Sequence, residues 1–314
     1  MRTVFLDKDS LPISLRRPRC VTDYQEYSYT LPEQVLERLA GAVIAIINKV
    51  PLRGAQLAQL PQLRLIAVAA TGYDCVDVDY CRTHGIAVTN IRNYAVHTLP
   101  EHVFALVLAL RRNIASYQAL ATGGEWQRSS QFCRYGPPIH DLHGSVLGIV
   151  GHGSVGRAVA ALGTAFGMQV RIAARPAHPA ATAGRVPMHE LLAEADVLSL
   201  HCPLNAATRG MIGARELRAM KPTAILINTA RGGLVDEPAL VEALRAGWIA
   251  GAGFDVLSVE PPADGNVLLE LRLPNFILTP HVAWASDEAM RILADQLTDT
   301  IEAWADGAPK NLVT

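Results

Sequence analysis

Short apolar runs recur along the chain, each followed by a longer stretch whose apolar positions fall three or four residues apart. Runs of the first kind suit strands buried on both faces and stretches of the second suit covering helices, so the alternation predicts parallel sheets in an α/β protein. In the first third, strands are expected at residues 3–6, 43–47, 65–69 and 86–88, with helices over 32–39, 54–60 and 76–83. A longer apolar helix is expected over 99–112, where Pro100 is tolerable because it falls in the first turn. From Gly144 a second series begins, with strands expected at 146–150, 170–174, 197–200, 224–228, 252–256 and 276–279. Six such strands suit a complete dinucleotide fold. After His281 one amphipathic helix carries Met290, Leu293, Leu297, Ile301 and Trp304 on a single face. The first third has no terminal helix of its own, so this last helix is expected to return there. The chain then divides into a discontinuous domain of residues 1–98 and 285–314 and a central domain of residues 99–284. The stretch 123–140, rich in Gly, Pro and Ser, reads as a surface loop.

Within the second series one turn stands out. Gly151-His152-Gly153-Ser154-Val155-Gly156 follows the run 146–150 and opens an alanine-rich apolar stretch, which is a strand, a glycine turn and a helix. In a dinucleotide site the first glycine permits the turn, the second admits a pyrophosphate close to the backbone, and the third lets helix pack on strand. Free N–H groups at the helix N-terminus attract the phosphates.

Composition narrows the classes. At 314 residues the chain exceeds what one hydrophobic core usually organises, which fits two domains. Lys plus Arg total 28 against 29 Asp plus Glu, so no general field favours nucleic acid or acidic membranes. Cys20, Cys75, Cys81, Cys133 and Cys202 are scattered without a CxxC pair, which suggests neither a disulfide framework nor a metal site. Arg2, Asp7, Lys8 and Asp9 interrupt the first ten residues, and no apolar run reaches membrane-spanning length, so a cytoplasmic protein is expected.

Three expected strand ends carry ionisable side chains. Arg231 follows the strand 224–228, Asp255 stands at the end of the next with Glu260 after it, and His281 follows the last. Ligands bind at the carboxyl edge of a parallel sheet, and a guanidinium there offers a planar fork to a carboxylate. Arg231 paired with a neighbouring acid, and His281 in a purely structural role, are the alternatives on position alone.

Taken in order along the chain, these segments resemble the D-isomer-specific 2-hydroxyacid dehydrogenases. The matching segments are Gly72-Tyr73-Asp74, Gly85 to Asn90, Pro100-Glu101-His102, the glycine loop, Leu200-His201-Cys202-Pro203-Leu204, Asn228 to Gly233, Gly253 to Val256 with Glu260-Pro261, and Pro280-His281. The resemblance implies a doubly wound Rossmann cofactor domain with a smaller, discontinuous, flavodoxin-like α/β substrate domain. It implies an oxidoreductase that moves hydride between a nicotinamide cofactor and a short 2-oxo or 2-hydroxy acid. Arg231 would hold the substrate carboxylate and polarise its carbonyl, His281 would donate the proton, and Glu260 would stabilise the imidazolium. Ala70, Thr71 and Gly72 would contact the substrate carboxylate through backbone, beside Arg231, His281 and Trp284. The cofactor would meet Gly151, Gly153, Ser154, Val155 and Gly156, then Ala174 and Arg175. His201, Pro203 and Thr208 would line its adenosine side, with Thr229, Ala230, Asp255 and Ala283 completing the set and Asp255 receiving the carboxamide. His201 as a core histidine is the alternative. Relatives suggest a homodimer, no metal, and no nucleic-acid or membrane partner.

Two departures sharpen the expectation. NAD-preferring members place an acid at the end of the second strand for the ribose hydroxyls, whereas this chain has Ala174 followed by Arg175. A missing acid beside a guanidinium should attract a 2′-phosphate, so NADP(H) is expected over NAD(H). Trp284 stands where many relatives carry a small residue, which resembles the glycerate dehydrogenase branch and favours short acids such as hydroxypyruvate or glyoxylate. Packing of Trp284 in a domain interface is the other reading. A dinucleotide-sensing corepressor of the C-terminal-binding-protein type, or a dehydrogenase for phosphite or a sugar-derived oxo acid, also fits the catalytic trio.

Overall fold

The computed structural model of the chain describes residues 1–175 and 184–314. It contains two compact units, one made of Met1–Tyr94 with Ala285–Thr314 and the other of Ala95–Trp284.

The smaller unit is built on five parallel strands, β1 (Arg2–Phe5), β2 (Asp23–Glu26), β3 (Ile44–Ile47), β4 (Leu65–Val68) and β5 (Ala87–Thr89). Their order is β2-β1-β3-β4-β5, the flavodoxin-like arrangement. β3 and β4 are buried at every position, which is why they read as continuous apolar runs rather than alternating ones. β2 is the strand beyond the four expected from sequence. It lies at the sheet edge with sequence DYQE and mostly exposed side chains, so no apolar run marks it. The last helix, Asp287–Ala305, packs on β4 through its apolar stripe, where Leu293, Leu297 and Ile301 are buried. Ser286 caps it by accepting the Ala289 N–H at 3.1 Å, and Asp287 and Glu288 complement the dipole in its first turn.

Among the described residues, seven parallel strands form the larger unit's sheet: β6 (Val146–Val150), β7 (Gln169–Ala173), β8 (Arg185–Val186), β9 (Val197–Leu200), β10 (Ile225–Asn228), β11 (Gly251–Phe254) and β12 (Phe276–Leu278). The six expected strands are present, and β8, only two residues long, is the addition. The order β12-β11-β10-β9-β6-β7-β8 is doubly wound, and the direction of winding reverses between β6 and β9. Ligands of such sheets bind above the carboxyl ends at that reversal. Alternate residues of one strand feed different cores: Leu198 and Leu226 join Leu240 on one face, Val197 and Ile225 join Val103 and Val107 on the other. Both faces are therefore dry. The helix Thr98–Arg111 lies on β10, β11 and β12, and glycines in β11 allow it close, since a Cβ at Gly253 would sit 3.0 Å from the Leu106 Cβ.

Candidate active site

At the end of β6 the chain turns through Gly151, whose φ of +98° favours glycine. A Cβ at Gly151 would lie 2.5 Å from the His201 carbonyl carbon, and one at Gly156 would lie 2.1 Å from the Gly151 oxygen. The protein's own backbone thus excludes side chains at the first and third glycines. At Gly153 an added Cβ would meet nothing within 4 Å, so this glycine faces open space. Gly153 is also the N-cap of the helix Ser154–Ala165 and has no side-chain capping bond. The first-turn amides of Ser154, Val155 and Gly156 then form an uncapped, electropositive helix end beside an opening, which fits a pyrophosphate. Thr229 adds to the fit: it is buried at the end of β10, and its hydroxyl finds no partner among the described residues. A buried orphan hydroxyl is a group that an arriving ligand satisfies.

The end of β7 is cationic. Ala174 donates its N–H to the Val186 carbonyl at 2.8 Å, and Arg175 is exposed. On the neighbouring β8, Arg185 Nη1 donates to the Ala173 carbonyl at 3.1 Å, which sets its guanidinium beside the β7 end. Burial lowers the pKa of His152 in the glycine loop, and the charges of Arg185 and Arg157 push it the same way. No Asp or Glu occurs between Asp141 and Glu190, so nothing in that stretch of sequence opposes these cations. His152, Arg157 and Arg185 were not singled out from sequence, although the long acid-free stretch is a signal that was there to be read.

Other residues expected on the cofactor side make internal bonds. The His201 ring bonds to the Ser199 hydroxyl through Nε2 at 2.9 Å, and burial drives its pKa to about 4. It is a neutral histidine tied into the sheet. The Thr208 hydroxyl donates to the Pro203 carbonyl at 2.7 Å and accepts the Asn205 N–H at 2.9 Å, so it shapes the turn that presents the exposed Pro203.

β10, β11 and β12 are neighbours, and their carboxyl ends carry Arg231, Asp255 and His281. Two strand spacings separate the outer pair, roughly 10 Å of backbone, which long side chains can bridge. Asn228 builds the turn under Arg231 by accepting the Ala230 N–H at 3.1 Å and donating to the Arg231 carbonyl at 2.9 Å. At Gly232 a Cβ would fall 1.9 Å from the Leu257 carbonyl carbon, so the turn lies directly against the segment leaving β11. That segment carries Glu260. Its Oε1 accepts the Leu257 N–H at 2.8 Å, and the buried Glu237 holds the same loop through the Ser258 N–H at 2.6 Å and Asn266 Nδ2 at 2.8 Å. Glu237 is a further site-supporting residue that sequence reading missed.

Glu260 Oε2 meets His281 Nδ1 at 2.6 Å. A carboxylate only accepts, so Nδ1 carries hydrogen and Nε2 is the nitrogen left for proton exchange. His281 itself has φ of +57°, in the left-handed region that few non-glycine residues occupy. The turn is gripped by Asp255, which is 1% exposed: Oδ1 accepts the Val282 N–H and Oδ2 the Ala283 N–H, both at 2.9 Å. Oδ1 also accepts the Thr279 hydroxyl at 2.6 Å, which leaves a lone pair on Oδ2 for a further donor. Trp284 follows, half-buried.

In the smaller unit, Ala70, Thr71 and Gly72 follow β4. The Ala70 carbonyl accepts the Ile91 N–H at 2.9 Å, the Thr71 carbonyl accepts Asn90 Nδ2 at 2.8 Å, and the Thr71 hydroxyl donates to the Ile91 carbonyl at 2.7 Å. In planar trans peptides the N–H opposes the preceding carbonyl, so the amides of Thr71 and Gly72 both turn away from residues 90–91. Two adjacent outward amides are a receptor for an anion.

A sequence profile of "D-isomer specific 2-hydroxyacid dehydrogenase, NAD binding domain" matches residues 104–283. The chain is 53% identical over 99% of its length to a glycerate dehydrogenase of Methylorubrum extorquens, of which it covers 98%. It is 34% identical over 92% of its length to a hydroxypyruvate reductase of Blautia hydrogenotrophica, of which it covers 90%. Among solved structures it resembles an acyclic imino acid reductase in complex with NADPH and D-Arg, with 28% identity, 100% of each chain covered and a TM-score of 0.83.

Proposed function

This chain belongs to the D-isomer specific 2-hydroxyacid dehydrogenase family, and from that premise we propose that it reduces hydroxypyruvate or glyoxylate with NADPH. Family membership carries hydride transfer between a nicotinamide dinucleotide and a 2-oxo or 2-hydroxy acid. The observation that carries the catalytic reading is the 2.6 Å contact between His281 Nδ1 and Glu260, with Arg231 on the neighbouring turn. The bound nicotinamide supplies the hydride. His281 gives the Nε2 proton to the substrate carbonyl oxygen, and Glu260 stabilises the imidazolium that holds it. Arg231 binds the substrate carboxylate and faces the oxygen that becomes an alkoxide. Proton donation of this kind contributes about 10² to 10⁴ in rate.

Residues 99–284 take the dinucleotide-binding role in this reading, and residues 1–98 with 285–314 the substrate-binding role. The Thr71 and Gly72 amides serve the carboxylate. Trp284 restricts the acid to a short one, and the similarity to a glycerate dehydrogenase and a hydroxypyruvate reductase supports that size. Arg175, Arg185, Arg157 and His152 support a 2′-phosphate and hence NADP(H), as does the NADPH held by the similar imino acid reductase. Exposed Trp126, Phe132 and Tyr135 on the stretch after Thr122 support a homodimer that covers them. Five cysteines without a disulfide fit the reducing cytoplasm, and among the described residues no helix is long and apolar enough to cross a membrane.

The test is an absorbance assay that crosses NADPH and NADH with hydroxypyruvate, glyoxylate, pyruvate and phenylpyruvate. The expected result is fastest turnover with NADPH and one of the first two acids. A clear NADH preference would defeat the cofactor reading. Dinucleotide binding with no turnover on any of the acids would favour a sensor of the corepressor type.

A further inference from the structure

We propose that Thr279 and His102 are positioning residues for His281, acting through Asp255; this rests on the reading of His281 as the proton donor. The left-handed backbone at His281 is uncommon for any non-glycine residue, and here it is fixed by bonds from outside the residue. That hold comes from three bonds. The His281 N–H donates to the Thr279 carbonyl at 3.0 Å, and the next two amides, of Val282 and Ala283, donate to the two oxygens of Asp255 at 2.9 Å. The carboxylate is buried, so the groups around it decide how it is aimed at those amides.

Thr279 has one hydroxyl proton and two acceptors within reach. Asp255 Oδ1 is at 2.6 Å and the Phe254 carbonyl at 3.3 Å. His102, on the helix Thr98–Arg111, brings Nε2 to 3.1 Å from the same hydroxyl oxygen. With the Thr279 proton on Asp255, the ring nitrogen is the donor and fills a lone pair of the hydroxyl. Its direct distance to Asp255 Oδ1 is 3.9 Å, too long for a hydrogen bond, so the influence of His102 passes through Thr279. A chain of oriented bonds then runs from the helix to the hydroxyl, to the carboxylate, to the two amides, and so to the backbone that aims the imidazole at Glu260. His102 belongs to the Pro100-Glu101-His102 segment. The proposed reaction assigns it no step, and this relay gives it one.

The experiment uses the full-length enzyme with NADPH and hydroxypyruvate and compares Thr279→Val, Thr279→Ser, His102→Leu, His102→Gln and His281→Ala. Coenzyme affinity is followed by NADPH fluorescence. Thr279→Val keeps the shape and removes the hydroxyl. It is expected to lower kcat by about 10-fold or more while KM and the NADPH Kd change by less than about threefold. Thr279→Ser returns the hydroxyl and is expected to recover most of kcat. His102→Leu is expected to lose about fivefold in kcat, and His102→Gln, which keeps an N–H donor, to regain it. A purely structural role would lower the melting temperature without separating Ser from Val or Gln from Leu. Wild-type kcat in Thr279→Val, or equal losses in Ser and Val, would overturn the proposal while a dead His281→Ala leaves the catalytic reading intact. An active His281→Ala would overturn both.

Discussion

The two halves of the seven-stranded sheet present different physics at their carboxyl ends. The β6-β7-β8 half presents backbone and positive charge: Gly151 and Gly156 with no room for a side chain, an uncapped helix end, and cations in a stretch of sequence without acids. The β10-β11-β12 half presents acids matched to bases and amides, with Glu260 on His281 and Asp255 on the turn that bears it. Binding a polyanion needs only close approach and a positive field, which rigid backbone supplies. Moving a proton needs one nitrogen held in a known state and direction, which takes a side chain with a second side chain behind it. Substitutions in the first half should therefore change coenzyme affinity, and those in the second should change turnover.

The largest effect is expected on the catalytic side. Arg231→Gln should reduce kcat/KM by about 10³-fold, since a charge-assisted fork and the field on the developing oxyanion are lost together. NADPH Kd should stay within about twofold of wild type in a fluorescence titration. A large rise in Kd would blur the division between the halves. On the other side, Gly156→Ala forces a Cβ to within 2.1 Å of the Gly151 oxygen. Dinucleotide affinity measured by calorimetry should fall about 100-fold, because the loop must open to admit the methyl.

His201 sits under the boundary between the halves and sharpens the comparison through pH. Its pKa is about 4 when folded, below the ordinary value of 6.5, so the unfolded chain binds the proton more readily. Its neutral burial does not affect stability above pH 6.5, and stability falls as pH drops from there towards 4. Urea midpoints should show a loss of about 2 kcal/mol between pH 7 and pH 5 that is absent in His201→Gln. The smallest effect is expected at the end of β7. Arg175→Ala should raise KM for NADPH about tenfold and leave KM for NADH nearly unchanged, and equal changes for both coenzymes would show that Arg175 only packs on the adenine.

What the sequence made legible follows from the same physics. Strands buried on both faces had to be apolar at nearly every position, so β3, β4, β6, β9 and β10 stood out. The polar edge strand β2 and the two-residue β8 bury too little to leave a pattern. The glycine loop was readable because its constraints are local, and Arg231, Glu260 and His281 because each follows a strand. The supports were not. Glu237 reaches Ser258 and Asn266, and His102 reaches Thr279 across 177 positions of sequence, and pairings of that length have no local signature. Thr208 and His201, expected on the adenosine side, also hold internal bonds that only coordinates reveal.

The most direct test of the division between the halves is His281→Ala, assayed for hydroxypyruvate-dependent NADPH oxidation and titrated with NADPH in the same preparation. The expected result is a fall in kcat of about 10²-fold or more with Kd within about twofold of wild type. Turnover near the wild-type rate, or a loss of turnover matched by an equal loss of NADPH binding, would contradict it.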